Sequence, residues 1–373
     1  MGETLSNTIR WSIASTAINS VTRSIQKAWS FTKQLDTSLN DIMIVTGKSA
    51  DEMDRFATKA NKAAKELGTS TKTYSDAALI YYQQGLDDTQ VEARTNVTVK
   101  AANVTGQDAR AVSEQLTAVW NGYKVSAQEA ELYIDKLAAV AASTAADLEE
   151  LSTGMSRVAS AANIMGVDID QLNAQLATIV SVTREAPESI GTALKTVYAR
   201  MSDLEAGLDA ETTLGEYTKQ MADFGFKALD ANGKLRDMGD VVEEIGSRWN
   251  TLSRNQQVAL AQTIAGTRQY SRMMALFDNW NMYEEALKTS KGSEGTLQKQ
   301  QDTRMESTEA HLKKLGATAE DLYASLFDTE DMKDLIDMLA KLVDGVDNFV
   351  EAIGGGAGVL RNFGAIAFNV FNK

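Results

Sequence analysis

A single proline in 373 residues is the feature that most constrains what this chain can form. Average usage, about 5%, would supply roughly nineteen. All-β sandwiches and barrels need a turn every few residues, and proline provides much of that turn chemistry. The chain is instead rich in alanine, glutamine, glutamate, lysine and leucine, which favour helices. The sequence therefore predicts an all-α fold, an extended array or bundle of many helices.

The composition also excludes several classes of function. The absence of cysteine excludes disulfide scaffolds, cysteine-ligated zinc and thiol nucleophiles, and the one histidine, His311, argues against multi-histidine metal sites and a catalytic triad. A net charge of −14 argues against direct nucleic-acid binding, which depends on clustered lysine and arginine. We therefore expect a protein without enzymatic activity, cofactor or metal.

Apolar residues recur every three or four positions along most of the chain, which predicts successive helices. Ser49 with Glu52 predicts a capping box, and Asp147 and Asp168 are expected to cap later helices. Pro187 is expected at the first position of a helix, where its missing N–H costs nothing. One exception is residues 224–236, where Asn-Gly between apolar flanks favours a small β-hairpin with a tight primed turn.

The pattern divides the chain into four parts. We expect a helical segment at 1–46, a helical core at 47–291, long charged coiled-coil-like helices at 296–350, and a glycine-rich apolar tail at 351–373. A continuous helix is predicted over 296–327, after a linker at Gly292–Gly295. A narrow apolar stripe on it has the spacing of a coiled coil and predicts a self-association seam. The seam residues are Leu312, Leu315, Ala319, Leu322 and Leu326.

Several short motifs suggest chemistry, but each has a simpler structural interpretation. Thr46–Ser49 lacks the upstream glycine of a phosphate-binding loop, and Asp230–Gly233 lacks the later ligands of a calcium loop. The pairs Glu188–Ser189 and Glu306–Ser307 are similar to those of lytic transglycosylases but have no aromatic cluster beside them. His311 lies among charged residues. We predict a helix cap, a turn, helix starts and a surface histidine.

Three segments together resemble a known family. They are Tyr-Tyr-Gln-Gln-Gly-Leu at 81–86, Gly-Thr-Ala-Leu at 191–194 and Ala-Gly-Thr-Arg-Gln at 265–269. They are similar to the core region of tail tape measure proteins from tailed bacteriophages and prophages, over about residues 35–330. Positions expected to serve the structure rather than a ligand site are Gly85, Gly191, Asn232, Gly233 and Gly266.

The resemblance implies a structural function. Such proteins lie in the lumen of the tail tube, set its length during assembly in the host cytoplasm, and leave ahead of the DNA during ejection. The implied partners are the tail tube protein, tail assembly chaperones, distal tail or baseplate proteins, and further copies of the chain. A tape measure protein is usually much longer, so the chain is expected to be part of a longer product.

Other interpretations remain open from the sequence. They are a cytoplasmic helical interaction protein, a muramidase-like hydrolase, and a membrane-inserting protein that aids genome delivery through contact of the 351–373 tail with the host membrane. The stripe at 296–327 could also pack within one chain, against a helix over 330–350, instead of between copies.

Overall fold

The computed structural model describes residues 30–201 and 216–326. Within these ranges the regular structure consists of fifteen α-helices and one short 3-10 turn, without a β-sheet. The predicted all-α class is confirmed. The predictions for residues 1–29, for the helix at 330–350 and for the 351–373 tail lie outside the described residues.

The chain divides into two compact units, and the first, unit one, combines residues 1–75 with 306–373. Its described helices are α1 (residues 30–46), α2 (Ala50–Leu67), the first turn of α3 (Thr71–Tyr82) and α15 (Thr308–Leu326). The predicted capping box of α2 is present, because Glu52 Oε2 accepts from the Ser49 N–H at 2.8 Å and Ser49 Oγ accepts from the Glu52 N–H at 3.4 Å. α15 packs on α2, where Asn61 Nδ2 donates to the Ala317 carbonyl at 3.2 Å.

Unit two contains residues 76–305 and includes the remainder of α3. It runs through the Gly292–Gly295 stretch, at which the sequence analysis drew a division, and ends at Met305. Its other helices are, in order, α4 (Asp88–Thr105), α5 (Ala109–Tyr123), α6 (Ala130–Ser143), α7 (Leu148–Ile164), α8 (Ile169–Thr183), α9 (Pro187–Met201), α10 (Glu216–Asp223), α11 (Met238–Arg248), α12 (Arg254–Asp278), α13 (Trp280–Lys291) and α14 (Thr296–Met305).

Local signals fix the starts of the central helices. Asp147 and Asp168 are the N-caps of α7 and α8, and each forms a full capping box with the residue three positions later. Pro187 is the first residue of α9. These three predictions are confirmed. The two aspartates satisfy free N–H groups within one turn of the helix start, and Pro187 has no N–H to satisfy.

Helix α8 forms the centre of unit two. It contacts α6, α7, α9, α12 and α13, and Leu172, Leu176 and Ile179 are completely buried. Three polar residues of α8 are also fully buried, and each is bonded: Asn173 Nδ2 donates to a carbonyl of α6 at 2.8 Å, Gln175 Oε1 accepts from a tyrosine hydroxyl of α9 at 2.7 Å, and Thr178 Oγ1 donates to a carbonyl of α8 at 2.8 Å. The core therefore surrounds α8, in which every residue from 171 to 180 is buried.

The predicted hairpin at 224–236 is reduced to one antiparallel bridge between Leu229 and Leu235. The primed turn is wrong, because Asn232 does not have the positive φ that such a turn requires. The Asp230 carboxylate instead accepts from the Asn232 N–H at 2.8 Å, and the Asp230 carbonyl accepts from the Gly233 N–H at 3.1 Å. The aspartate thus starts the turn one residue earlier than the Asn-Gly pair suggested.

The continuous helix predicted over 296–327 is also wrong. The helix stops at Met305 and restarts at Thr308. Ser307 Oγ accepts from the Ala310 N–H at 3.2 Å, so Ser307 caps a new helix. The sequence of α14 and α15 is charged and has few apolar residues. The spacing of its apolar residues therefore does not show that one helix ends and another begins near Ser307.

Candidate functional site

Two glycines bring helices α7 and α9 into backbone contact. A Cβ atom on Gly191 would lie 2.2 Å from the Gly154 carbonyl oxygen and 3.0 Å from Arg157 Cβ. A Cβ atom on Gly154 would lie 3.1 Å from a Leu176 methyl group and 3.3 Å from the Pro187 carbonyl oxygen. Because the side chains at a helix contact set the distance between the axes, this crossing requires glycine at position 191.

Helix α12 is broken at Gly266, where φ is +69° and ψ is 171°. This region of conformation is essentially restricted to glycine. The guanidinium carbon of Arg200, near the end of α9, lies 3.4 Å from the place that a Cβ of residue 266 would occupy. Beyond the break, Arg272 Nε donates to Glu185 Oε2 at 2.8 Å and ties α12 to the loop before α9. The second and third motif segments therefore lie on α9 and α12, two helices that contact one another.

The first motif segment ends α3 beside a buried guanidinium. Arg94 is 5% exposed, donates to the Val125 carbonyl at 2.9 Å and to Gln84 Oε1 at 3.5 Å, and lies 5.1 Å from the centre of the Trp120 ring. Burial lowers the pKa of Arg94 and raises the pKa of Tyr81, which packs against the same tryptophan, to about 12. The segment builds a buried polar contact between α3, α4 and α5.

Gly85 and Gly233 are turn positions. Their φ angles are +75° and +76°, and a Cβ atom on either would have nothing within 4 Å. The Gly85 N–H donates to the Tyr82 carbonyl at 2.9 Å and closes the end of α3. Glycine is needed at both positions for its backbone conformation and not for close packing.

A buried aspartate of α6 caps helix α14 from a distance. Asp135 is 3% exposed, and its two carboxylate oxygens accept from the Gly295 N–H at 2.8 Å and the Leu297 N–H at 2.7 Å. Burial raises the pKa of Asp135, and the two backbone donors act against that rise. The spacing of apolar residues in the sequence did not single out Asp135. The feature that could have identified it is the position of an aspartate between two apolar residues, Ile134 and Leu137, that are completely buried.

The predicted seam lies on α15, away from the contact with α2. Ala317 accepts from Asn61, and Glu320 accepts from the first turn of α3. At about 100° per residue, Leu312 and Leu315 fall on the other side of the helix, and both are half-buried. Of the remaining seam residues Ala319 is buried, whereas the side chains of Leu322 and Leu326 lie outside the description.

The other motif residues occupy structural positions. His311 Nδ1 lies 2.8 Å from the Ser307 carbonyl oxygen, within one helix turn. Glu188 is exposed in the first turn of α9, and Glu306 falls in the break before α15. In the described ranges no three acidic or histidine side chains come together as a metal site would need.

A family model described as phage-related minor tail protein matches residues 58–266, more than half of the chain. The chain belongs to this family. The match includes the α7–α9 crossing, the Gly266 break and the buried Arg94. No solved structure matches the chain.

Membership gives this minor tail protein a structural role in phage tails and a location in the virion. Together with the all-helical fold, it indicates a structural protein. None of the described helices is long and apolar enough to cross a membrane.

Proposed function

We propose that this minor tail protein is a tape measure protein: it sets the length of the tail tube during assembly and leaves the tube ahead of the DNA. The family match carries the proposal, because it links the chain to phage tails over a region that contains the first two motif segments and the start of the third. The helical fold supports it as well, since a helix advances 1.5 Å per residue and so converts chain length into distance.

The charge suits the inside of a tube through which DNA must pass. A net charge of −14 repels the phosphate backbone, so a departing DNA would not adhere to protein left in its path. In this proposal the tail tube protein assembles around the chain, assembly chaperones hold it beforehand, and distal tail or baseplate proteins contact its end. The 351–373 tail is then the candidate for contact with the host membrane.

In-frame changes in the phage gene test the ruler. Deleting residues 330–350, which the sequence predicts to be helical, should shorten the tail by about 32 Å in electron micrographs. A matched control replaces the same 21 residues with an alanine, glutamate and lysine helix of equal length and should restore the tail length. Tails of unchanged length in the deletion, or shortened tails in the replacement, would refute the proposal.

We also propose that copies of the chain associate through the seam. Leu312 and Leu315 support this because they lie opposite the α2 contact of α15 and are half-buried. Replacing Leu315 and Leu322 with aspartate should weaken self-association in sedimentation, with helix content retained. A wild-type chain that is monomeric at all concentrations would favour packing of the seam within one chain.

A further inference from the structure

Three arginines of unit two have no acidic or carbonyl partner in the part of the chain that the structure describes. Residues 76–305 contain eleven arginines, and eight of them pair with a carboxylate or donate to a backbone carbonyl. The other three are Arg157, Arg200 and Arg268. Arginine is the residue best suited to hold a carboxylate, so three exposed arginines with no such partner among the described residues indicate a surface that can bind carboxylates.

These arginines lie on α7, α9 and α12, and α9 contacts both of the other helices. Arg157 is on α7 beside the crossing with α9, and Lys195 is exposed one turn further along α9. Arg200, near the end of α9, packs on Gly266, and Arg268 is exposed two residues beyond that break. Along α9 the row extends about 14 Å. We call Arg157, Lys195, Arg200 and Arg268 the basic face.

The exposed side chains between these cations on α7 and α9 are small. The exposed residues of α7 and α9 there are Ser160, Thr192, Thr196 and Ala199. Because α7 and α9 are in backbone contact at Gly154 and Gly191, no large side chain lies between the two helices at that crossing, and a second helix could approach closely there.

We propose that the basic face docks residues 328–351 of a second copy of the chain. This stretch contains eight carboxylates and two lysines, a net charge of −6. Asp334, Asp337, Asp344 and Asp347 fall on one side of the helix that the sequence predicts there, opposite its apolar stripe. The acidic side meets the basic face, and the apolar side stays available for packing. The contact requires copies lying side by side, as in the proposed function, but it uses none of the seam residues.

Charge reversal in the full chain tests this contact. One variant carries Arg157→Glu, Arg200→Glu and Arg268→Glu, and a second carries Asp334→Lys, Asp337→Lys and Asp344→Lys. Each alone should self-associate at least about tenfold more weakly than wild type in sedimentation, because like charges then face one another. An equimolar mixture of the two should recover association, and the recovery should decline with added salt.

A matched control reverses Lys227, Lys234 and Lys291, which are exposed on other parts of unit two. This control has the same change in net charge as the arginine variant and should associate like wild type. If the control is equally weak, or the mixture of reversed variants does not recover, the docking is refuted. Wild-type chain that never associates also refutes it, while the tail-length measurement still decides the ruler function independently.

Discussion

Replacing Gly191 with alanine tests the backbone contact between α7 and α9. Helix propensity alone would favour alanine by about 1 kcal/mol. The new Cβ atom, however, would lie 2.2 Å from the Gly154 carbonyl oxygen, whereas ordinary contact begins at 3.4 Å. The two helices must therefore separate by about 1 Å. Overpacking of this kind costs about 1–3 kcal/mol, and a backbone obstacle places the cost at the upper end.

We expect a net loss of about 1–2 kcal/mol, which lowers the melting temperature by about 2–8 °C for a unit of this size. Thermal unfolding followed by circular dichroism measures it. Gly154→Ala is a graded control, because the Leu176 methyl group 3.1 Å away can rotate, so its loss should be smaller. Gly316→Ala has nothing within 4 Å and should gain up to about 1 kcal/mol. A Gly191→Ala chain as stable as wild type would refute the backbone contact.

Two further substitutions test contacts that only the structure revealed. Asp135→Asn should destabilise unit two by about 1–3 kcal/mol, because an amide offers one acceptor where two N–H groups need one each, and hydrogen exchange at Leu297 should accelerate. Since burial raises the pKa of Asp135, the folded wild type binds the proton more tightly than the unfolded chain, so its stability relative to the asparagine variant should fall as pH rises above about 4; the opposite slope would contradict this. Gly266→Ala should cost about 1–3 kcal/mol at its positive φ, whereas Gly292→Ala, at φ −103°, should be tolerated; equal effects would show that the α12 break is not strained.

The sequence predicted what is decided within one helix turn. The capping boxes at Ser49, Asp147 and Asp168 join residues three positions apart, and Pro187 needs no partner at all. The turn at 230–233 was predicted wrongly because two local signals compete there. The Asn-Gly pair favours a primed turn, but the Asp230 carboxylate bonds to the Asn232 N–H and starts the turn one residue earlier. Fold class followed from such signals because an all-α chain is largely a sum of its helices.

Contacts between distant residues could not be predicted in this way. Asp135 bonds to Leu297, 162 positions away, and Gly191 meets Gly154 on another helix. The sequence shows that an aspartate or a glycine is unusual on an apolar face, but not what it faces. Arg94 is a similar case, since its partner carbonyl belongs to Val125 in the turn after α5.

The packing of unit two limits how a ruler could work. Burial of one large apolar side chain is worth about 1.5–3 kcal/mol, so extending only ten of the completely buried residues around α8 would cost more than the whole stability of a typical domain. Residues 76–305 therefore keep their compact fold, and contribute a fixed distance along a tube, unless partners bury the same apolar surfaces. In a ruler of this kind, length would scale with the helical residues outside unit two. Removing α14 should then disrupt the Asp135 cap and the fold, whereas removing residues 330–350 should shorten the tail and leave unit two intact.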